Sequence, residues 1–157
     1  MIVKSLKLGE LEVPDEKLIV MERPILGFEN LKKFCLIEID EMMPFLWLQA
    51  TEEPAVSFLV VNPVVFFPNY RIEINPKEIA ELEVARVESV ETYVIVTLNK
   101  KPELITANLQ GPILINTENN LAKQLILVNS DYRVKHSLLE VADAAATTVR
   151  VKEEAPV

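Results

Sequence analysis

At 157 residues, half of them apolar, the chain has the size of one domain and enough aliphatic surface to bury a core without a metal or a disulfide framework. No apolar run reaches the ~18 residues that span a bilayer, and Met1-Ile2-Val3-Lys4 does not open a secretory leader, so a soluble cytoplasmic protein is expected. The net charge of −8 repels phosphate backbones, which argues against direct nucleic-acid binding and suits a basic protein partner.

Three glycines and ten prolines punctuate short segments rich in Val, Ile, Leu and Phe, the pattern of many short strands joined by turns. Residues 2–8 and 10–13 flank Gly9, which supplies the positive φ of a tight turn, so they read as a hairpin. A third strand spans 17–21, and Pro24 and Gly27 make 22–27 a loop. Residues 29–33 suit one helical turn. Strands follow at 34–39, 45–50 and 56–61, the last two joined by the polar Thr51-Glu52-Glu53-Pro54. Near-continuous apolar runs in such short strands predict burial on both faces, hence a closed barrel or a sandwich with its outer face covered.

Residues 75–85 read as the one helix. Asn75 is a good N-cap, Pro76 falls where its missing N–H costs nothing, Glu78 has capping-box spacing, and Ile79 and Leu82 share a face. The longest strand is 90–98, closed by Asn99-Lys100-Lys101-Pro102. Strands at 105–109 and 112–116 are broken at Gln110-Gly111, a bulge or sharp corner, and 122–128 is the last core strand. About eleven strands result. The predicted fold class is all-β: a compact antiparallel β-barrel-like single domain with one short helix over residues 1–138, followed by a mobile tail at 139–157.

Catalytic chemistry finds little support. There is no Gly-x-Ser-x-Gly elbow and no phosphate loop. His136 is the only histidine and Cys35 the only cysteine, so neither a metal cluster nor a cofactor is expected. Cys35, within Phe34-Cys35-Leu36-Ile37, reads as a small core residue, and Trp47 as core or half-core. The acidic pairs Glu52-Glu53 and Glu81 with Glu83 read as solvated surface. The basic stretch Tyr132-Arg133-Val134-Lys135-His136 pins the C-terminal segment to the barrel, or forms a small anion spot. A non-enzyme is expected; a hydrolase built on His136 and a barrel for a small ligand or oligonucleotide are the competing classes.

The most unusual segment is Asn62-Pro63-Val64-Val65-Phe66-Phe67-Pro68-Asn69-Tyr70. It reads either as a strand crossing into the core or as an apolar patch that docks a partner, prolines holding aromatic anchors in place at low entropy cost. Under the second reading the partner-binding residues are Phe66, Phe67, Asn69 and Tyr70, with Asn108, Gln110 and Pro112 at the neighbouring corner. Phe67→Asp separates the readings: it weakens binding if the ring is exposed and unfolds the chain if it is core.

Several segments in order carry a resemblance: Leu26-Gly27-Phe28-Glu29, Phe45-Leu46-Trp47-Leu48-Gln49, Val60-Val61-Asn62-Pro63, Phe66-Phe67-Pro68-Asn69-Tyr70 and Val94-Ile95-Val96-Thr97-Leu98. Thr106-Ala107-Asn108-Leu109-Gln110-Gly111-Pro112-Ile113 is the most specific, and Gln124-Leu125-Ile126-Leu127 and Tyr132-Arg133-Val134-Lys135-His136 complete the set. Over residues 1 to about 138 the chain resembles the FliW family of flagellar assembly factors. It departs at Pro24-Ile25-Leu26-Gly27, at Asn62 where Asp is commoner, and at Ala50 where Ser is commoner. A monomer is expected, and the resemblance implies a compact antiparallel barrel and two protein partners. These are flagellin and CsrA, the small RNA-binding repressor of flagellin translation, which the family antagonises.

Overall fold

The computed structural model describes residues 1–128 and 130–138. Its elements are β1 (Ile2–Ser5), β2 (Gly9–Glu12), β3 (Ile19–Arg23), β4 (Lys33–Glu38), β5 (Leu46–Ala50), β6 (Ser57–Val61), α1 (Pro76–Ala80), β7 (Val90–Thr97), β8 (Thr106–Ala107), β9 (Ile113–Asn116), β10 (Leu121–Gln124) and β11 (His136–Ser137). The strands β3, β4, β5, β6, β7, β9 and β10 pair in a closed ring, because β7 bonds β9 while β10 returns to β3. A ring with an odd number of strands cannot alternate direction all the way round. One pairing is therefore parallel, β3 with β10, through Val20↔Leu121 and Met21↔Ala122; the other six are antiparallel. Closure removes the long open edge that would invite aggregation.

Period-two alternation splits the strand residues between an inner core and an outer coat. Leu46, Leu48 and Ala50 of β5 point inward with Phe34, Val60, Ile113, Ile115 and Ala122. Their neighbour Trp47 points outward, with Leu59, Val61, Val94 and Val96, yet these are buried too. The expected double burial thus has a visible cause, since segments outside the ring coat the barrel. The β1–β2 hairpin lays Val3 and Val13 on Cys35, and burial there pushes the thiol pKa up. Lys7, in the hairpin turn, holds its ammonium 4.4 Å from the centre of the Trp47 ring, a cation–π contact. Phe67, Tyr70, Leu109 and Leu138 cover β5, β6 and β7, and Leu82 covers Leu114 and Leu125.

Local differences from the sequence reading have local reasons. Gly9 sits at φ +79° as expected, but it opens β2, and the strands stop short of residue 8. No helical turn forms at 29–33, where Leu31 N–H donates back to Phe28 O in a turn. The helix is five residues long. Asn75 Oδ1 accepts from Lys77 N–H as expected, but Glu78 binds Lys123 instead of closing a capping box, and Glu83 at φ +52° stops any continuation. Strand 105–109 shrinks to the two-residue β8 and 122–128 to β10, although the N–H groups of Leu125 and Leu127 still donate to Pro112 O and Gln110 O beyond the end of β10. β11 was not foreseen, and the expectation for 139–157 lies outside the described residues.

Candidate protein-docking surface

The segment after β6 is neither a strand nor wholly a surface patch. Pro63 starts a 3-10 turn, Pro63–Val65, capped by Asn62 Oδ1, which accepts from Val64 N–H at 3.2 Å. Phe67 N–H then donates to Pro63 O at 2.8 Å, and Tyr70 N–H to Phe67 O at 2.8 Å. This coil sends Phe67 and Tyr70 into the outer core, at 7% and 8% exposure, while Val64, Val65, Pro68 and Asn69 remain exposed and Phe66 half-buried. Phe66 packs on Phe45, ring centres 5.6 Å apart.

The corner at 108–112 lies directly against this coil, so the structure brings the two sequence-predicted groups together. The Tyr70 hydroxyl donates to Leu109 O at 2.7 Å, and burial pushes the phenol pKa up. Asn108 Oδ1 accepts from the N–H groups of Gln110 and Gly111, at 3.2 and 3.0 Å, and shapes the corner. Gln124 threads through it: its Nε2 donates to Gly111 O at 3.0 Å and its Oε1 accepts from Leu26 N–H at 2.8 Å. A Cβ on Gly111 would lie 2.8 Å from both Asn108 Nδ2 and Gln124 Nε2, so a side chain here would have to push aside the two amides that shape the corner.

Of the predicted contact set, Phe67, Tyr70 and Pro112 are therefore buried, which withdraws them from direct contact in this conformation. Asn69 is exposed, and Phe66, Asn108 and Gln110 are partly so. Val65, inside the same segment but outside the named contact set, and Met43, two residues before Phe45, are both about half exposed.

The basic stretch takes the pinning role. Tyr132 lies 4.5 Å from Tyr70, centre to centre, and its hydroxyl accepts from Arg71 N–H at 2.9 Å. Arg133 O accepts from Leu109 N–H, and His136 pairs with Ala107 and meets Phe67 edge-on at 5.3 Å. His136 is thereby part of the packing. Among the described residues no group of three or more His, Cys, Asp or Glu is placed to hold a metal, and no helix is long and apolar enough to cross a membrane.

Residues 2–138 match the family model described as FliW protein. The chain belongs to the FliW family. The flagellar assembly factor FliW of Clostridium botulinum (strain Alaska E43 / Type E3) is 40% identical over 132 residues, covering 84% of this chain and 94% of that one. The flagellar assembly factor FliW of Thermosipho africanus (strain TCF52B) is 40% identical over 135 residues, covering 85% and 93%. A crystal structure of the flagellar assembly factor FliW superposes with a TM-score of 0.82 at 33% identity, over 88% of this chain and 96% of that one. The closed, mostly antiparallel barrel, with one short α-helix among the described residues, is thus the FliW fold, and every segment of the candidate docking surface lies within the matched span.

Proposed function

We propose that this chain is a cytoplasmic flagellar assembly factor that acts by binding two proteins, flagellin and the translational repressor CsrA. Binding CsrA relieves repression of flagellin translation, and binding flagellin occupies the factor. The observation that carries this reading is the family match over residues 2–138. Relatives that share about 40% of the sequence are flagellar assembly factors, a role in assembly and not in turnover. The net charge of −8 supports it as well. An acidic chain attracts a basic RNA-binding protein and, once bound, places negative charge beside the surface that RNA phosphates would approach.

The contact surface in this reading is the exposed part of the coil and corner: Phe66, Asn69, Asn108 and Gln110, with Val65 beside them. Phe67, Tyr70 and Pro112 serve as its frame. A pull-down with flagellin and CsrA from the same organism tests the proposal. Capture of both is expected, the CsrA interaction weakening as salt rises from 50 to 500 mM because opposite fields are screened within about 10 Å at 0.1 M. Capture of neither would reject the reading.

A further inference from the structure

β7 is longer than the strand on one of its flanks, and the mismatch leaves an open stretch of edge. Backbone groups of alternate strand residues point to opposite sides. Ser89 O accepts from Thr117 N–H and Ile95 O from Asn108 N–H, so Ser89, Glu91, Tyr93 and Ile95 address the β9 and β8 side. Val90, Thr92, Val94 and Val96 therefore address the β6 side. β6 serves Val94 and Val96 through Val61 and Leu59. The residue that would serve Thr92 is Pro63, which has no N–H to give. Its carbonyl is already taken by the N–H groups of Phe66 and Phe67. Among the described residues nothing bonds the Thr92 N–H or C=O, while Val90 N–H turns back to Val87 O.

A cleft of about 360 Å³ opens at this gap, and Pro63, Val64, Ile72, Val90, Glu91 and Thr92 are among the residues that line it. Its walls are the coil after β6 on one side and the Ile72 to Ile74 stretch on the other. That volume is at the small end for a binding pocket and suits two or three side chains in place of a whole helix. The lining is mixed: Val64, Ile72, Ile74 and Val90 supply aliphatic surface beside Asn62, Thr92 and Glu91, whose carboxylate also accepts from the Tyr93 hydroxyl at 3.1 Å, and Glu73 is exposed between Ile72 and Ile74.

We infer that this cleft takes an extended segment of a partner polypeptide, with aliphatic and Lys or Arg side chains alternating, as a short added strand on β7. Thr92 supplies a donor and an acceptor, and Val90 a further acceptor. Aliphatic side chains enter between Val64 and Ile72, and the cations meet Glu73 and Glu91. The inference rests on the reading of the chain as a protein-binding factor.

The test uses the full chain, labelled with nitrogen-15 and titrated with the acetylated, amidated hexapeptide Val-Lys-Val-Lys-Val-Lys and its Glu counterpart. Saturable shifts at residues 62–64, 72–74 and 90–92, slowed exchange of the Thr92 amide, and at least ~10-fold weaker binding of the Glu peptide are expected. Thr92→Pro removes the outward N–H together with the threonine side chain and should weaken the Lys peptide at least ~10-fold with unchanged circular dichroism. If that variant misfolds, the surface change Glu73→Lys carries the same expectation. No shift at the cleft, equal binding of both peptides, or concentration-dependent self-association through the cleft would each overturn the inference. Flagellin and CsrA pull-downs run alongside: their failure would sink the proposed function and leave the peptide titration to decide the cleft, and the converse holds.

Discussion

Phe67 sits edge-on to His136 inside the outer coat, so its replacement acts on folding. Phe67→Asp should unfold the chain, since an unpaired carboxylate in that site costs several kcal/mol, and circular dichroism reads the loss. Asn69→Ala, at an exposed position, should stay within about 0.5 kcal/mol of the parent while weakening partner capture. Tyr70→Phe leaves the buried Leu109 carbonyl without its donor and should cost about 1–3 kcal/mol in urea unfolding. The sequence could not rank these residues. Phe66 and Phe67 are identical in composition, and what separates them is where the turn started by Pro63 points each ring. The joining of the coil to the 108–112 corner was legible only as two suspicious segments, because the Tyr70 to Leu109 bond spans 39 residues. Gly111 reads in the sequence as a break in a strand; its further role, admitting Asn108 and Gln124 on either side, depends on side chains that meet only in the fold.

At the scale of elements, α1 shows how far local rules reach. Its start was readable because the Asn75 cap and Pro76 are local chemistry. Its length was not, because the carboxylates after the cap serve another element. Lys123 of β10 is 1% exposed, with its Nζ 2.8 Å from Glu78 O, 3.2 Å from Glu78 Oε2 and 3.5 Å from Glu81 Oε2. Glu81 also binds Arg23 in a two-pronged contact, which holds its pKa down at about 2. A carboxylate whose folded pKa lies below its unfolded value adds stability above the unfolded value and loses it as pH falls. The gap in melting temperature between the parent and Glu81→Gln should therefore be constant above about pH 5 and close between 4.5 and about 2. Removing both acids, Glu78→Ala with Glu81→Ala, strands a buried ammonium, whereas Lys123→Met leaves two carboxylates that can return to water. The double acid variant should show the larger drop in melting temperature, and the reverse order would contradict the buried-cation account.

For the whole molecule, the apolar runs at 45–50 and 56–61 carried real information. A strand buried on one face only would have alternated; these did not, and the barrel is indeed coated outside as well as filled inside. What such runs cannot carry is the order of pairing. The parallel contact of β3 with β10 joins segments about 100 residues apart; a ring with an odd number of members requires a parallel contact, and no local pattern reports which pair makes it. The same closure predicts one cooperative unfolding transition for residues of β3 through β10. Amide exchange should be slowest in β5, all of whose residues are buried, and faster in β2, whose residues are mostly exposed.

The chain has a single tryptophan, and the first hairpin holds a lysine above it. Fluorescence from that one indole thus reports the seating of a named segment, with no added dye. A ligand that peels the hairpin, or the coil of Phe67 and Tyr70, away from β5 would shift emission to the red by wetting the ring, and one that settles on the α1 side would leave the spectrum alone. Each partner's landing place could be sorted by colour before any complex is crystallised.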